Sequence, residues 1–115
     1  MQITEVRDIL EADVLCCDEL LTNEVHNAFS SDLMSDVLAY VNGKTLLLTG
    51  LINNQVIRTV EMADLNAIVF VRGKLPDTTI IEMARQGNIV LLTTRDTLYT
   101  ASGKLYSRGL RGVNI

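Results

Sequence analysis

Two short segments, Thr49-Gly50 and Arg72-Gly73-Lys74, hold the residue types in this 115-residue chain best suited to gripping a ligand. Each closes an apolar run, and a third polar pair, Thr93-Thr94, does the same. Glycine lets backbone come close to a bound group, while helix N-termini and cations supply donors to a phosphate or carboxylate. Asn53 and Asn54 follow Gly50 closely and add side-chain donors. If these pieces share one edge, Thr49, Gly50, Asn53, Asn54, Arg72, Gly73, Lys74, Thr93 and Thr94 form an anion site. The architectural alternative is that the glycines serve turns, that Asn53, Asp77 and Thr94 cap helices, and that Arg72 is an exposed loop cation. Both readings stay open on the residues alone. There is no G-x-G-x-x-G and no G-x-x-x-x-G-K-[ST], so nucleotide binding by those two devices is unsupported.

Catalytic sets are thinner. Any Ser-His-Asp or Cys-His arrangement has to use His26, the single histidine, and no nucleophile-elbow motif accompanies it. Asp32 and Asp36 stand four apart, as paired carboxylates do on a helix face. Asp32 equally suits a helix N-terminus, with Asp36 solvated. Asp96, within TTRDT, reads as a general base or a helix cap. Cys16 and Cys17 are adjacent, a spacing that strains a disulfide, and with His26 they offer at most three ligands at no zinc spacing. On a strand they point to opposite faces, one into the core and one outward. No catalytic residue, metal or cofactor is expected.

Composition sets the frame. Hydrophobic residues make up 48% and charged residues 21%, ordinary values for a globular domain, and the length fits one domain over residues 1–115. Aromatics are 4% with no Trp, which disfavours a base-stacking surface. No apolar h-region follows Met1, and no stretch approaches the roughly 20 apolar residues of a membrane span. A cytoplasmic location is expected, with no membrane. Net charge is −4, unevenly spread: residues 1–40 carry nine acids against Arg7, whereas residues 41–115 carry five acids against nine bases. The halves either neutralise each other across one surface or mark an anion-attracting region or a subunit contact. Scattered bases on an acidic chain disfavour nucleic acid.

The elements that must position these residues follow from periodicity. Thr4 caps a helix through about Ala12, Val14 to Cys17 is a short strand, Asp18 to Asn23 a turn, and Glu24 to Phe29 a weaker extended piece. Ser30-Ser31-Asp32 offers N-caps for a helix from Asp32 to Val41, stopped by Asn42-Gly43. Lys44–Thr49, Ala67–Val71 and Ile89–Leu92 are apolar on successive residues, the mark of strands buried on both faces. Between them run helices with Val56, Ile57, Val60 and Ala63, then Ile80, Ile81 and Ala84, facing inward; Pro76-Asp77 opens the second and Gly87 stops it. A short helix from about Asp96 to Ser102 ends at Gly103, and Lys104 to Ile115 either adds a strand or stays loosely ordered. Consecutive βα units require right-handed crossovers and place the strand exits on one edge. The expected fold is α/β, layered α/β/α, with a mainly parallel sheet and the N-terminal strands at its margin.

The stretches SDLMSDVLA, LLLTGLINNQVIRTVEMADLNAIVFVRGKLPD and IVLLTTRDTLYTASGKLY resemble the DRTGG domain family, over about Asp13 to Tyr106. The resemblance implies a fold similar to the N-terminal domain of HPr kinase/phosphorylase, without its P-loop. It implies a regulatory rather than catalytic role and association as a homodimer. The chain departs from the naming signature. Leu51 to Asn54 stand where an acidic-basic pair would follow the first buried strand, and Val71-Arg72-Gly73 stands where TGG would follow the second. Arg72 thereby replaces a backbone-lined pocket with a charged one. The expectation is a non-catalytic, ligand-sensing domain that binds a small anionic metabolite or nucleotide at the C-terminal edge of the sheet. The alternative is an interaction module whose acidic half meets a partner protein, an accessory in redox or carbon metabolism.

Overall fold

The computed structural model describes every residue except Asn42 and Ile115. Three strands carry the centre of the sheet: β3 (Thr45–Thr49), β4 (Ala67–Phe70) and β5 (Val90–Thr93), in which every residue is buried. Helices cover both faces, which is why these runs show no polar alternation. Two further strands, β1 (Asp13–Cys16) and β2 (Asn27–Ser30), complete the order β1-β5-β4-β3-β2. The pairs β2–β3, β3–β4 and β4–β5 are parallel, with Leu47 opposite Ile68 and Ile68 opposite Leu91. Only β1 runs antiparallel, pairing with β5.

From β2 onward each strand returns beside its predecessor through one helix: α2 (Met34–Tyr40), α3 (Asn54–Met62) and α4 (Thr78–Gln86). Stepping always in one direction with one crossover hand lays these three side by side on a single face. On the other, α1 (Ile3–Leu10) packs against α5 (Leu98–Ser107), which also reaches β3. The layered α/β architecture with a mainly parallel sheet is therefore present, and both N-terminal strands lie at its margins. The aliphatic core runs continuously through it, from Ile3 and Val6 to Leu105.

Local details differ from the pattern-based expectation, each for a physical reason. α2 starts at Met34, because Ser31 Oγ holds the Leu33 N–H (3.0 Å) and the Asp32 carboxylate is engaged elsewhere. α1 begins after Gln2, whose N–H meets Glu5 Oε1 at 3.2 Å, while the expected cap Thr4 donates to Leu21 O (2.9 Å). α5 is capped by Thr97 and runs through Gly103 to Ser107. Glycine inside a helix costs about 1 kcal/mol, which burial of Ala101 and Leu105 outweighs. It then closes with Gly109 at φ +105, and Leu110 N–H returns to Leu105 O. Among the described residues the tail adds one parallel bridge, Gly112 to Ala28. Both cysteines are buried. Cys17 has left the strand in a left-handed conformation (φ 65), so the alternation expected to expose one of the pair does not apply. Of the expected Asn42-Gly43 stop, Gly43 has φ +64 and Asn42 lies outside the described residues.

Candidate functional site

Because β2 to β5 are parallel, their exits gather along one rim, and main-chain bonds knit it together. Val71 N–H donates to Thr49 O (3.1 Å), Thr94 N–H to Phe70 O (2.9 Å) and Gly73 N–H to Thr94 O (2.8 Å). The β4 exit makes a tight four-residue turn, Val71 to Lys74, closed by Lys74 N–H to Val71 O at 3.2 Å. Its central residues, Arg72 (φ 59) and Gly73 (φ 65), are both left-handed, the mirror-image turn geometry that glycine and asparagine favour. Arginine in such a place is uncommon.

Most candidate donors serve the rim itself. Thr93 Oγ1 donates to Lys74 O (2.8 Å) and Thr94 Oγ1 to Leu10 O (2.9 Å). Arg72 N–H goes to Asp96 O at 2.8 Å. Asn53 caps α3, its Oδ1 accepting from Gln55 N–H at 3.1 Å, and Asn54 is the exposed first residue of that helix. Among the described residues, the Arg72 and Lys74 side chains have neither a hydrogen-bond nor an ion-pair partner.

Asp32, at the β2 exit, completes the rim. Its Oδ1 accepts from Gly50 N–H at 2.7 Å and from Thr49 Oγ1 at 2.9 Å. The Gly50 amide, foremost, then the Thr49 hydroxyl and the positive charges of Arg72 and Lys74, hold this carboxyl below its ordinary range against partial burial. The guanidinium of Arg72 lies against Gly50, where a side chain would collide with it. Asp32 was expected at a helix start, not here. Reading 24–29 as the first strand of the parallel series would have brought it to this edge.

Next to the rim, a cleft of about 250 Å³ is lined by Glu11, Asp13, Gly73, Thr94, Arg95 and Asp96 among others. Sequence reasoning missed the contribution of the α1–β1 junction, which arrives only through the antiparallel pairing of β1 with β5. Asp96 neither caps α5 nor stands free, since its Oδ2 lies 2.8 Å from Lys104 Nζ. His26 is exposed, with Glu24 at 3.9 Å. The candidate residues thus come together at Thr49, Gly50, Arg72, Gly73, Lys74 and Thr94, with Asn53 and Asn54 one turn along at α3.

The chain matches the family model of the DRTGG domain over residues 5–106. It belongs to the DRTGG domain family. Among solved structures, this DRTGG chain is similar to the CBS and DRTGG domains of the regulatory region of Clostridium perfringens pyrophosphatase, complexed with the activator diadenosine tetraphosphate. Identity is 17% and the TM-score 0.73, with 90% of this chain and 45% of that chain covered, a likeness of fold. The DRTGG chain thus spans less than half of the length of that solved chain. No curated protein matches it. The two places where the sequence reading expected a departure from the signature are the left-handed turn at Arg72-Gly73 and the loop leading to α3. No helix among the described residues is long and apolar enough to cross a membrane.

Proposed function

We propose that this chain is a non-catalytic regulatory domain that senses a small anionic metabolite or nucleotide at the C-terminal rim of its sheet. The observation that carries the reading is the convergence of three parallel-strand exits on Arg72 and Lys74, two cations with no side-chain partner among the described residues, beside the Gly50 amide. Thr49, Gly50, Asn53, Asn54, Arg72, Gly73, Lys74 and Thr94 form the binding edge, with the cations meeting a phosphate or carboxylate. The related fold in a regulatory region solved with a nucleotide activator supports a sensing role. No cofactor or metal enters the mechanism, and Asp96, held by Lys104, is a poor general base.

Isothermal titration against adenine nucleotides, acyl phosphates and phosphorylated sugars tests this. A saturable signal weakened by Arg72→Ala supports it, and silence across the panel with folded protein counts against it. The domain acts as a cytoplasmic homodimer in this reading; a monomeric mass by light scattering at micromolar concentration rejects that part. A second reading, docking of a partner protein, is favoured by α5, where Tyr99 is 89% exposed and Tyr106 is 56% exposed. A captured partner lost when Tyr99 is changed to Ser would favour it.

A further inference from the structure

We infer that the Asp32 carboxylate occupies the anion position of this rim as an internal stand-in, and that a carboxylate or phosphate ligand binds by displacing it. The inference deepens the proposed sensing role and rests on it. Two donors, Gly50 N–H and Thr49 Oγ–H, converge on the single oxygen Oδ1 at 2.7 and 2.9 Å, as they would on an oxygen of a bound anion. The Arg72 guanidinium lies beside the same Gly50, and Arg72 and Lys74 both favour the negative charge there. Yet neither cation is paired with Asp32 within salt-bridge distance. A single carboxylate therefore leaves the positive side of the rim unsaturated, and a dianionic or larger group satisfies it better.

The choice of exchangeable donors follows from what each one currently serves. The Arg72 and Gly73 amides and the Thr93 and Thr94 hydroxyls are held by main-chain oxygens, which cannot leave without unravelling the rim. Gly50 N–H and Thr49 Oγ–H are held by an exposed side chain on the three-residue connection between β2 and α2. That side chain can swing into water without unravelling the backbone, and a ligand anion then replaces the two hydrogen bonds it gives up. Asp32 does not cap the helix it precedes either: Leu33 is the N-cap of α2, and no side chain serves it. The carboxylate reaches across to the exit of another strand. Exchange for a ligand frees the connection to α2, so occupancy of the rim is passed to that helix.

The test compares binding of inorganic phosphate to wild type, Asp32→Ala and Asp36→Asn, followed at the Gly50 amide in proton–nitrogen spectra. Asp36→Asn removes one charge from the same segment without touching Gly50. Removing the competitor is expected to tighten phosphate binding roughly tenfold in Asp32→Ala, with a saturating Gly50 shift, as for a charge-assisted site. Adding Arg72→Ala should abolish the gain. The idea is overturned if Asp32→Ala binds no tighter than Asp36→Asn, or if the gain survives Arg72→Ala. Should Asp32→Ala not fold, Asp32→Asn keeps an acceptor for Gly50 while losing the charge, and the same two criteria apply. The two proposals fail separately. Phosphate capture by Asp32→Ala despite a silent metabolite panel upholds the stand-in and removes the proposed ligand classes. A metabolite that binds wild type with no Gly50 shift, and equally well to Asp32→Ala, does the reverse.

Discussion

The guanidinium of Arg72 rests on Gly50 so closely that a Cβ built on the glycine would stand 2.9 Å from Arg72 Cζ. Gly50 has no left-handed φ, so space, not backbone freedom, is what favours glycine there. The obstructing group is the far end of a flexible chain, which can move. Gly50→Ala is therefore expected to cost under about 1 kcal/mol in urea unfolding, while the Arg72 side-chain resonance shifts. A loss much larger than that would mean the guanidinium is locked in place.

The turn between β4 and α4 predicts a contrasting pair. Gly73 at φ +65 meets nothing within 4 Å of a built Cβ, so Gly73→Ala suffers only the left-handed penalty of about 1–2 kcal/mol. Arg72→Gly relieves the same penalty and should raise stability by up to about 1 kcal/mol while weakening anion binding. Matched denaturation curves and titrations check the opposed signs.

Asp32 gives the pH dependence its sign. Its carboxyl is held below the ordinary aspartate value of 3.8 in the folded protein, so its contribution is fully present above that value. It is lost as the pH falls through the lower, folded pKa. Asp32→Asn should flatten the fall in stability below about pH 4, where the carboxylate otherwise titrates, and should lower stability at neutral pH, where the ionised Asp32 contributes. Melting curves from pH 2 to 7 measure the difference.

How much of this was legible in the sequence depended on whether the signal was local. β3, β4 and β5 could be read because double-sided burial leaves an unbroken apolar run, and the exits followed from parallel connectivity. The role of Asp32 could not: its partners, Thr49 and Gly50, are reached only once β2 is known to pair with β3. Gly103 misled for the opposite reason. A local stop signal was present, and the packing of Leu105, recorded nowhere nearby in the chain, overrode it. Cys17 likewise followed a left-handed turn that alternation does not anticipate.

The cysteines should be inert in the native protein. Burial pushes the Cys17 thiol up to about 12, with the neighbouring Cys16 adding to it, and burial raises Cys16 as well. Thiolate is the reactive form, so alkylation at pH 8 should proceed only as fast as the fold opens. Rapid native labelling of either residue, timed by mass spectrometry, would contradict this burial.

Thr94 joins the rim to α1 through its hydroxyl on Leu10 O, with 2% of the residue exposed. Thr94→Val keeps the shape and deletes the bond, so a loss of about 1–2 kcal/mol is expected by thermal unfolding. Because Leu10 and Glu11 line the neighbouring cleft, amide exchange at Glu11 should accelerate as well.

The antiparallel seating of β1 against β5 has a bearing on how the molecule is born. Cys16 Sγ reaches Ile89 O across 73 positions of chain, and α1 leans on α5 from the far end of the same sequence. A growing polypeptide can assemble β2, β3 and β4 in order as they emerge, and α1 finds its bonds to residues 21–25 early, but β1 has no sheet partner until β5 arrives. Closure of that margin is then a late step of assembly, set by the long loop that joins its two strands.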